Sequence, residues 1–545
     1  MIRQFTICAA VMAALAMAAP SYADNAPTVS APAGVVKGQT EGTLSVFKDI
    51  PYAMPPVGAL RWRAPVPMPR WKGVKTATAF GPECVQPESK IASVYTGDPI
   101  PMSEDCLSLN IWAPTHAHNA PVFFWIYGGA LWGGSNADPI YDGTQLAKRG
   151  VIVVTINYRL GVLGWLAHPE LSAENPLHIS GNYGLLDQIR ALHWVKDNIA
   201  AFGGDPANVT IAGESAGGLS VMYLMASPDA RGLFAKAIAQ SAYMVTTPDL
   251  KQSKYGMPSA EESGKALAAA LHAPDIAALR AMDPATLTAA AAAARFSPFG
   301  AVDGHVFPGQ LVDVFDKGEQ AHVPILAGFN SGEIRSLRIL APPVPATVAD
   351  YEKTIRASYG DLADDFLKLY PGSNMQESIW ATTRDALYGW TAERLVRKQT
   401  AIGAPSYLYF FDHGYPAEDQ AGLHAFHGSE LPFMFGTTDR TPKLWPKIPA
   451  TPSEAKLSDA MLDYWTSFAR TGTPVATNAP DWPAFDSTTG YMNFTDAPHP
   501  AEHLMPGMYS LNEEVMCRRH ATGNVAWNWN VGMVSPPLPP KGNCP

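Results

Sequence analysis

The ten residues from Val209 to Gly218 constrain the fold of this chain more than any other stretch. A β-branched apolar run, Val209-Thr-Ile-Ala212, leads straight into Gly213-Glu-Ser-Ala-Gly217, and a helix-forming stretch from Leu219 to Ala226 follows. Glycines flanking a serine, between a buried-type strand and a helix, are the pattern of a nucleophile elbow. The turn is so tight that a side chain at either flanking position would collide with the neighbouring strand or helix. Glycine also permits the strained backbone that lifts the serine oxygen clear of a sheet. The pentapeptide alone recurs by chance. Its strand and helix context makes Ser215 a candidate nucleophile rather than part of an ordinary turn.

Other apolar runs read as buried strands: Val122–Tyr127, Val151–Ile156, Ile325–Ala327 and Tyr407–Phe411. Helix-period segments lie between them, such as Gly184 to Ala201 and Glu393 to Ile402. Strands alternating with helices predict a mainly parallel sheet covered on both faces, an α/β architecture. The alanine-rich stretch from Ser259 to Arg295 is helical by propensity and is expected as an insertion on the carboxyl edge of the sheet. Residues 24–34 read as a frayed leader, and the proline-rich tail from Ser535 should run along the surface. At 545 residues, length alone suggests several domains. One site whose parts lie hundreds of positions apart argues instead for a single domain over residues 24–545.

Residues 1–23 carry Arg3, an apolar stretch from Cys8 to Ala19 too short to span a bilayer, and Ser21-Tyr-Ala23. That is the layout of a cleaved signal peptide, with an uncleaved anchor as the alternative. The mature protein is then expected in the periplasm or outside the cell, with no membrane attachment. Its net charge, −10 for the full chain, gives no reason to expect nucleic-acid partners. Of five cysteines, Cys8 leaves with the leader. Cys84, Cys106, Cys517 and Cys544 remain, an even set that reads as disulfides in an oxidising compartment. Proximity favours Cys84–Cys106 and Cys517–Cys544, each closing a loop worth about 3 kcal/mol through the unfolded state. No CxxC spacing suggests a metal site instead.

A serine nucleophile needs oxyanion donors, a base and a group to orient that base. Trp125-Ile-Tyr-Gly-Gly-Ala-Leu131 follows a strand directly, and its small residues would let the N–H groups of Gly129 and Ala130 approach a substrate oxygen. The N–H of Ala216 is the third candidate donor. For the base, His424 and His427 share the loop from Gly422 to Pro432, and spacing does not choose between them. For the acid, the order nucleophile, acid, base points between Ser215 and that loop. Glu333, just after the strand Ile325–Ala327, is best placed. Asp303 is the rival, although an Asp-Gly pair is more often a turn.

The motifs taken together resemble the type B carboxylesterase/lipase family, over nearly the whole mature chain. They run in the family's order: Phe47–Pro56, Ser103–Asn110, Trp125–Ala130, Asn157–Gly161, Gly181–Asp187, Phe202–Pro206, Gly213–Gly217, Gln240-Ser241 and His427-Gly-Ser-Glu430. The resemblance implies an α/β-hydrolase fold with helical insertions over the active site. It also implies Ser215 as nucleophile, Glu333 as acid and His427 as base, since the family motif His-Gly-x-Glu excludes His424. Its first disulfide falls on Cys84–Cys106, and Ser241 matches a serine that hydrogen-bonds near the acid–base pair. Two departures stand out. Ala130 replaces the usual third glycine of the oxyanion segment, which would narrow the pocket. The acid is followed by Arg335 and Arg338, candidate ligands for a substrate carboxylate.

The implied activity is ester hydrolysis through an acyl-enzyme, on a small-molecule ester and without a cofactor or metal. Esters with carboxylate-bearing acyl groups, such as the tricarballylate esters of fumonisin mycotoxins, are the substrates that the arginine pair would suit. The alternatives are a triglyceride lipase, or a non-catalytic binding protein of the kind some members of the superfamily have become.

Overall fold

A computed structural model describes residues 26–88, 92–527 and 532–544, so the leader and its cleavage site lie outside the described residues. Eleven strands form the central sheet. Numbered along the chain, they are β1 (Gln39–Glu41), β2 (Leu44–Pro51), β3 (Ser108–Pro114), β4 (Ala120–Ile126), β5 (Ile152–Ile156) and β6 (Gly204–Glu214). They continue with β7 (Lys236–Gln240), β8 (Ile325–Asn330), β9 (Ser406–Phe411), β10 (Gly490–Phe494) and β11 (Pro498–Glu502). Their spatial order is β1-β2-β3-β5-β4-β6-β7-β8-β9-β10-β11. Pairing is parallel from β5 through β10 and antiparallel at both edges.

The central strands are apolar on both faces because each face carries its own core. Along β4, Val122, Phe124 and Ile126 join one cluster while Phe123 and Trp125 join the other. Side chains alternate across a strand, so an unbroken apolar run serves both clusters at once. The helices that matter to the site are α1 (Gly161–Trp165), α2 (Tyr183–Asn198), α3 (Ala216–Ala226), α4 (Ala260–Ala270), α5 (Ile276–Ala281), α6 (Pro284–Ala293), α7 (Trp390–Ala401) and α8 (Pro452–Thr471). Leu185 and Leu192 of α2, Leu219 and Met222 of α3, and Leu395 and Val396 of α7 cover the first face. Met461, Trp465 and Phe468 of α8 cover the second.

The alanine-rich stretch is indeed helical, in three pieces set by its caps. Ser259 and Glu262 form a reciprocal capping box on α4, and Asp275 and Asp283 cap α5 and α6. These helices do not cover the sheet. Leu267, Ile276, Leu279 and Leu287 pack with Val162, Leu163 and Tyr183 in a separate cluster, around the segment that follows the carboxyl end of β5.

The N-terminal segment departs from expectation. Rather than being frayed, Thr28–Ala31 pairs antiparallel with Gly34–Lys37, which pairs in turn with Val74–Thr76. Backbone pairing to a distant strand holds a segment whose composition looks like leader. At the other end, Cys517 and Cys544 are bonded, as are Cys84 and Cys106. The tail is also tied by Leu538, whose N–H donates to the Ser358 carbonyl at 2.7 Å.

Candidate active site

Ser215 sits between β6 and α3 with φ 57° and ψ −120°. Its backbone N–H donates to the Gln240 carbonyl at 2.9 Å. A Cβ at Gly213 or Gly217 would overlap backbone atoms of the elbow or the Ile126 carbonyl, which explains the two glycines. Asp303, the rival for the acid, accepts hydrogen bonds from the N–H groups of His305 and Phe307 and closes a local turn.

Glu333 and His427 are brought together by the turns after β8 and β9. The N–H of Gly332 donates to the Ala425 carbonyl at 3.0 Å, and a Cβ on Gly332 would overlap the His424 carbonyl. Only glycine lets the two turns approach so closely. His427 Nδ1 bonds to Glu333 Oε2, and the other carboxylate oxygen accepts from the Asn330 N–H at 2.9 Å. His424 faces away and bonds to Asp419 and Asp412 at 2.6 and 3.3 Å. Three residues of separation thus put two imidazoles in different environments, and only His427 lines the cavity with Ser215.

Glu214 was not singled out in the sequence, yet its Oε1 lies 3.1 Å from His427 Nε2. Glu430 stands behind the pair. It accepts from Gln240 Nε2 at 2.9 Å and from Asn330 Nδ2 at 2.6 Å, while Trp465 Nε1 donates to Gln240 at 3.0 Å. Ser241, expected to hydrogen-bond beside the pair, is buried with no hydrogen bond to its Oγ among the described residues. Its neighbour Gln240 makes that connection instead. Glu430 was legible as the last residue of its motif; Asn330 carried no signal.

Three buried carboxyl groups around one imidazole shape the protonation of the site. Burial opposes charge on His427, but Glu214 and Glu333 outweigh it and hold the imidazole up, at about 9. Burial pushes Glu214 up to about 8 and Glu430 to about 7, against the pull of His427 on Glu214 and of the Asn330 amide on Glu430. The titrations of Glu214 and His427, 3.1 Å apart at Oε1 and Nε2, therefore depend on one another.

Two of the oxyanion candidates, Gly129 and Ala130, line the same cavity. Gly129 and Ala130 have φ of 104° and 55°, and their N–H groups make no hydrogen bond among the described residues. A Cβ at Gly129 would overlap the Gly133 carbonyl, so this position demands glycine, whereas at Ala130 the methyl is exposed. Ala216 opens α3, where the first N–H has no intrahelical partner. The cavity holds about 510 Å³ and is mostly apolar, with Leu337, Leu340, Leu387, Tyr388 and Trp445 in its wall. Its charged lining residues are Asp138, Glu214 and His427; no lysine or arginine lines it among the described residues.

Arg335 and Arg338 lie outside that lining. Both guanidinium groups stack on Trp380, 5.3 Å from its ring centroid, and Arg335 pairs with Glu377 at 2.9 Å. The short turns after Glu333 send the aliphatic residues Leu337, Ile339 and Leu340 to the cavity and the arginines to Trp380. Arg338 remains exposed, beside Ile339 on the cavity lip.

A strained serine, a histidine–glutamate pair and free N–H groups in one apolar cavity define the class of an acyl-transfer hydrolase. The chain belongs to the carboxylesterase family, whose model matches residues 25–510, and it is a carboxylic ester hydrolase. It is 37% identical to a fumonisin B1 esterase of Sphingopyxis macrogoltabida, over 85% of each chain. Identity to a para-nitrobenzyl esterase of Bacillus subtilis is also 37%, over 84% of this chain and 92% of the relative. A solved para-nitrobenzyl esterase structure superposes with a TM-score of 0.76 at 34% identity, covering 89% of this chain and 99% of that one. No helix of the described residues is long and apolar enough to cross a membrane.

Proposed function

We propose that the chain is an exported serine carboxylesterase in which Ser215 is the nucleophile, His427 the base and Glu333 the acid that orients it. The observation that carries this reading is the His427 Nδ1–Glu333 bond at the wall of the cavity into which the Ser215 elbow opens. In catalysis His427 Nε2 takes the Ser215 hydroxyl proton as the oxygen attacks the ester carbonyl. Gly129, Ala130 and Ala216 donate to the oxyanion, about 3–4 kcal/mol of transition-state stabilisation per donor. His427 then protonates the departing alkoxide, and water repeats the cycle on the acyl-enzyme. Two disulfides support an oxidising compartment, in line with a cleaved leader over residues 1–23. Residues 24–545 are read as one hydrolase domain, because the proposed triad draws on β6, β8 and β9 of a single sheet.

The cavity lining favours small neutral esters, since it is mostly apolar and a carboxylate inside would meet no lysine or arginine among the described residues. A second reading, esters with carboxylate-bearing acyl groups, is supported by the likeness to a fumonisin B1 esterase and by the exposed Arg338 at the lip. The test of the whole reading is Ser215→Ala. It should fold like the parent and lose at least roughly a thousandfold in kcat on para-nitrophenyl acetate. Retained activity would remove Ser215 as the nucleophile.

A further inference from the structure

The main chain of the proposed base is held by side chains from elsewhere. Asn330 Nδ2 donates to the Phe426 carbonyl at 2.9 Å, and the next carbonyl, that of His427, accepts from the Tyr95 hydroxyl at 2.8 Å. No backbone N–H reaches the His427 carbonyl among the described residues. The residue that follows is Gly428, with φ 78°. Glycine takes either sign of φ at little cost, so sterics alone do not fix which way the His427–Gly428 peptide faces. The Tyr95 donor does.

Tyr95 comes from a distant stretch, midway between Cys84 and Cys106. A tight turn presents it: the Thr96 N–H donates to the Ser93 carbonyl at 3.0 Å, and the Ser93 N–H donates to Thr96 Oγ1 at 2.8 Å. Its ring meets those of Phe426 and Trp445, each at 6.2 Å between centroids. Its oxygen also lies 2.6 Å from Ser336 Oγ. A phenol has one proton and a carbonyl only accepts, so Tyr95 donates to His427 and Ser336 donates to Tyr95. Ser336 belongs to the short helical turn that Glu333 opens. The chain Ser336–Tyr95–His427 therefore ties the segment of the proposed acid to that of the proposed base, in addition to the direct His427–Glu333 bond.

We propose that Tyr95 is a positioning residue for ester hydrolysis: its hydroxyl, oriented by Ser336, fixes the His427–Gly428 peptide and so the angle at which the imidazole meets Ser215. The proposal rests on the catalytic reading of Ser215 and His427. Tyr95 also lines the cavity, so its action through the base has to be separated from contact with the ester.

Tyr95→Phe keeps the ring and removes the hydroxyl, at a residue 37% exposed, so the fold should be preserved. On the full-length protein, compared at equal folded fraction, kcat for para-nitrophenyl acetate should fall roughly three- to tenfold, the scale of one hydrogen bond, with KM within about twofold. Inactivation by diethyl para-nitrophenyl phosphate needs the same proton transfer from Ser215 and no deacylation. Its rate constant should fall by the same factor. Ser336→Ala should lose less than Tyr95→Phe, and the double variant should be no slower than Tyr95→Phe alone, because Ser336 acts only through that hydroxyl. Unchanged kcat and inactivation in Tyr95→Phe overturn the proposal. So does a rise in KM with kcat kept, which would make Tyr95 a wall for the substrate, and so do losses that multiply in the double variant. None of these results bears on Ser215→Ala, whose loss of activity tests the catalytic reading separately.

Discussion

His427 Nε2 lies 3.1 Å from Oε1 of Glu214, so the proposed base rests between two carboxylates. One oxygen holds Nδ1 in the catalytic orientation. The other lies within ion-pair distance of the nitrogen that must receive the serine proton. The neighbouring carboxyl groups outweigh the cost of burying the imidazolium, and Glu214 is itself pushed upward by burial.

The base works only when Nε2 is unprotonated, so activity on a neutral ester should climb as pH rises through the titration of that pair, above the ordinary histidine range. Glu214→Gln keeps the shape and removes the charge that raises His427. The acid limb of kcat/KM against pH should therefore move to lower pH. An unmoved limb, or one displaced upward, would mean that Glu214 does not set the state of the base.

The two histidines of one loop should separate cleanly by mutation. His427→Ala is expected to lose at least roughly a thousandfold in kcat, whereas His424→Ala should keep most activity because it breaks only a half-exposed bridge to Asp412 and Asp419. Comparing kcat at equal folded fraction checks this, and the reverse order would exchange their roles.

The arginines after the acid should behave differently from one another. Arg335 is tied to Glu377 and Trp380; Arg338 stacks on Trp380 and is exposed. If carboxylate-bearing esters are substrates, Arg338→Ala should lower kcat/KM for a half-ester such as monoethyl succinate by roughly tenfold and spare a neutral ester of equal size. Arg335→Ala should change both alike. Equal effects of Arg338→Ala on the two esters would leave both arginines as packing for Trp380.

The C-terminal disulfide should matter for stability and not for chemistry. Cys544→Ser releases a tail otherwise tied to Cys517, a closure spanning 27 residues, and should cost about 2–4 kcal/mol in denaturant unfolding. Its kcat on para-nitrophenyl acetate should match the parent. A drop in kcat with unchanged stability would contradict a purely structural tie.

What the sequence determined by itself is local. The Ser215 elbow, the strand cores of β4, β5, β6, β8 and β9, the alanine-rich helices and the two nearby cysteine pairs follow from steric limits, alternation and short closures that neighbouring residues impose. Tertiary structure decided everything that depends on chains meeting. It set His427 and His424 in different surroundings, because the Gly332 approach brings one imidazole to Glu333 and turns the other to surface acids. It assembled Glu214, Glu430, Gln240 and Asn330 into a network drawn from four separate segments. It turned the arginines onto Trp380 and paired Thr28–Ala31 into a small sheet. Side-chain direction after a turn, and the partner of a distant strand, depend on packing across hundreds of residues, which local propensity does not encode.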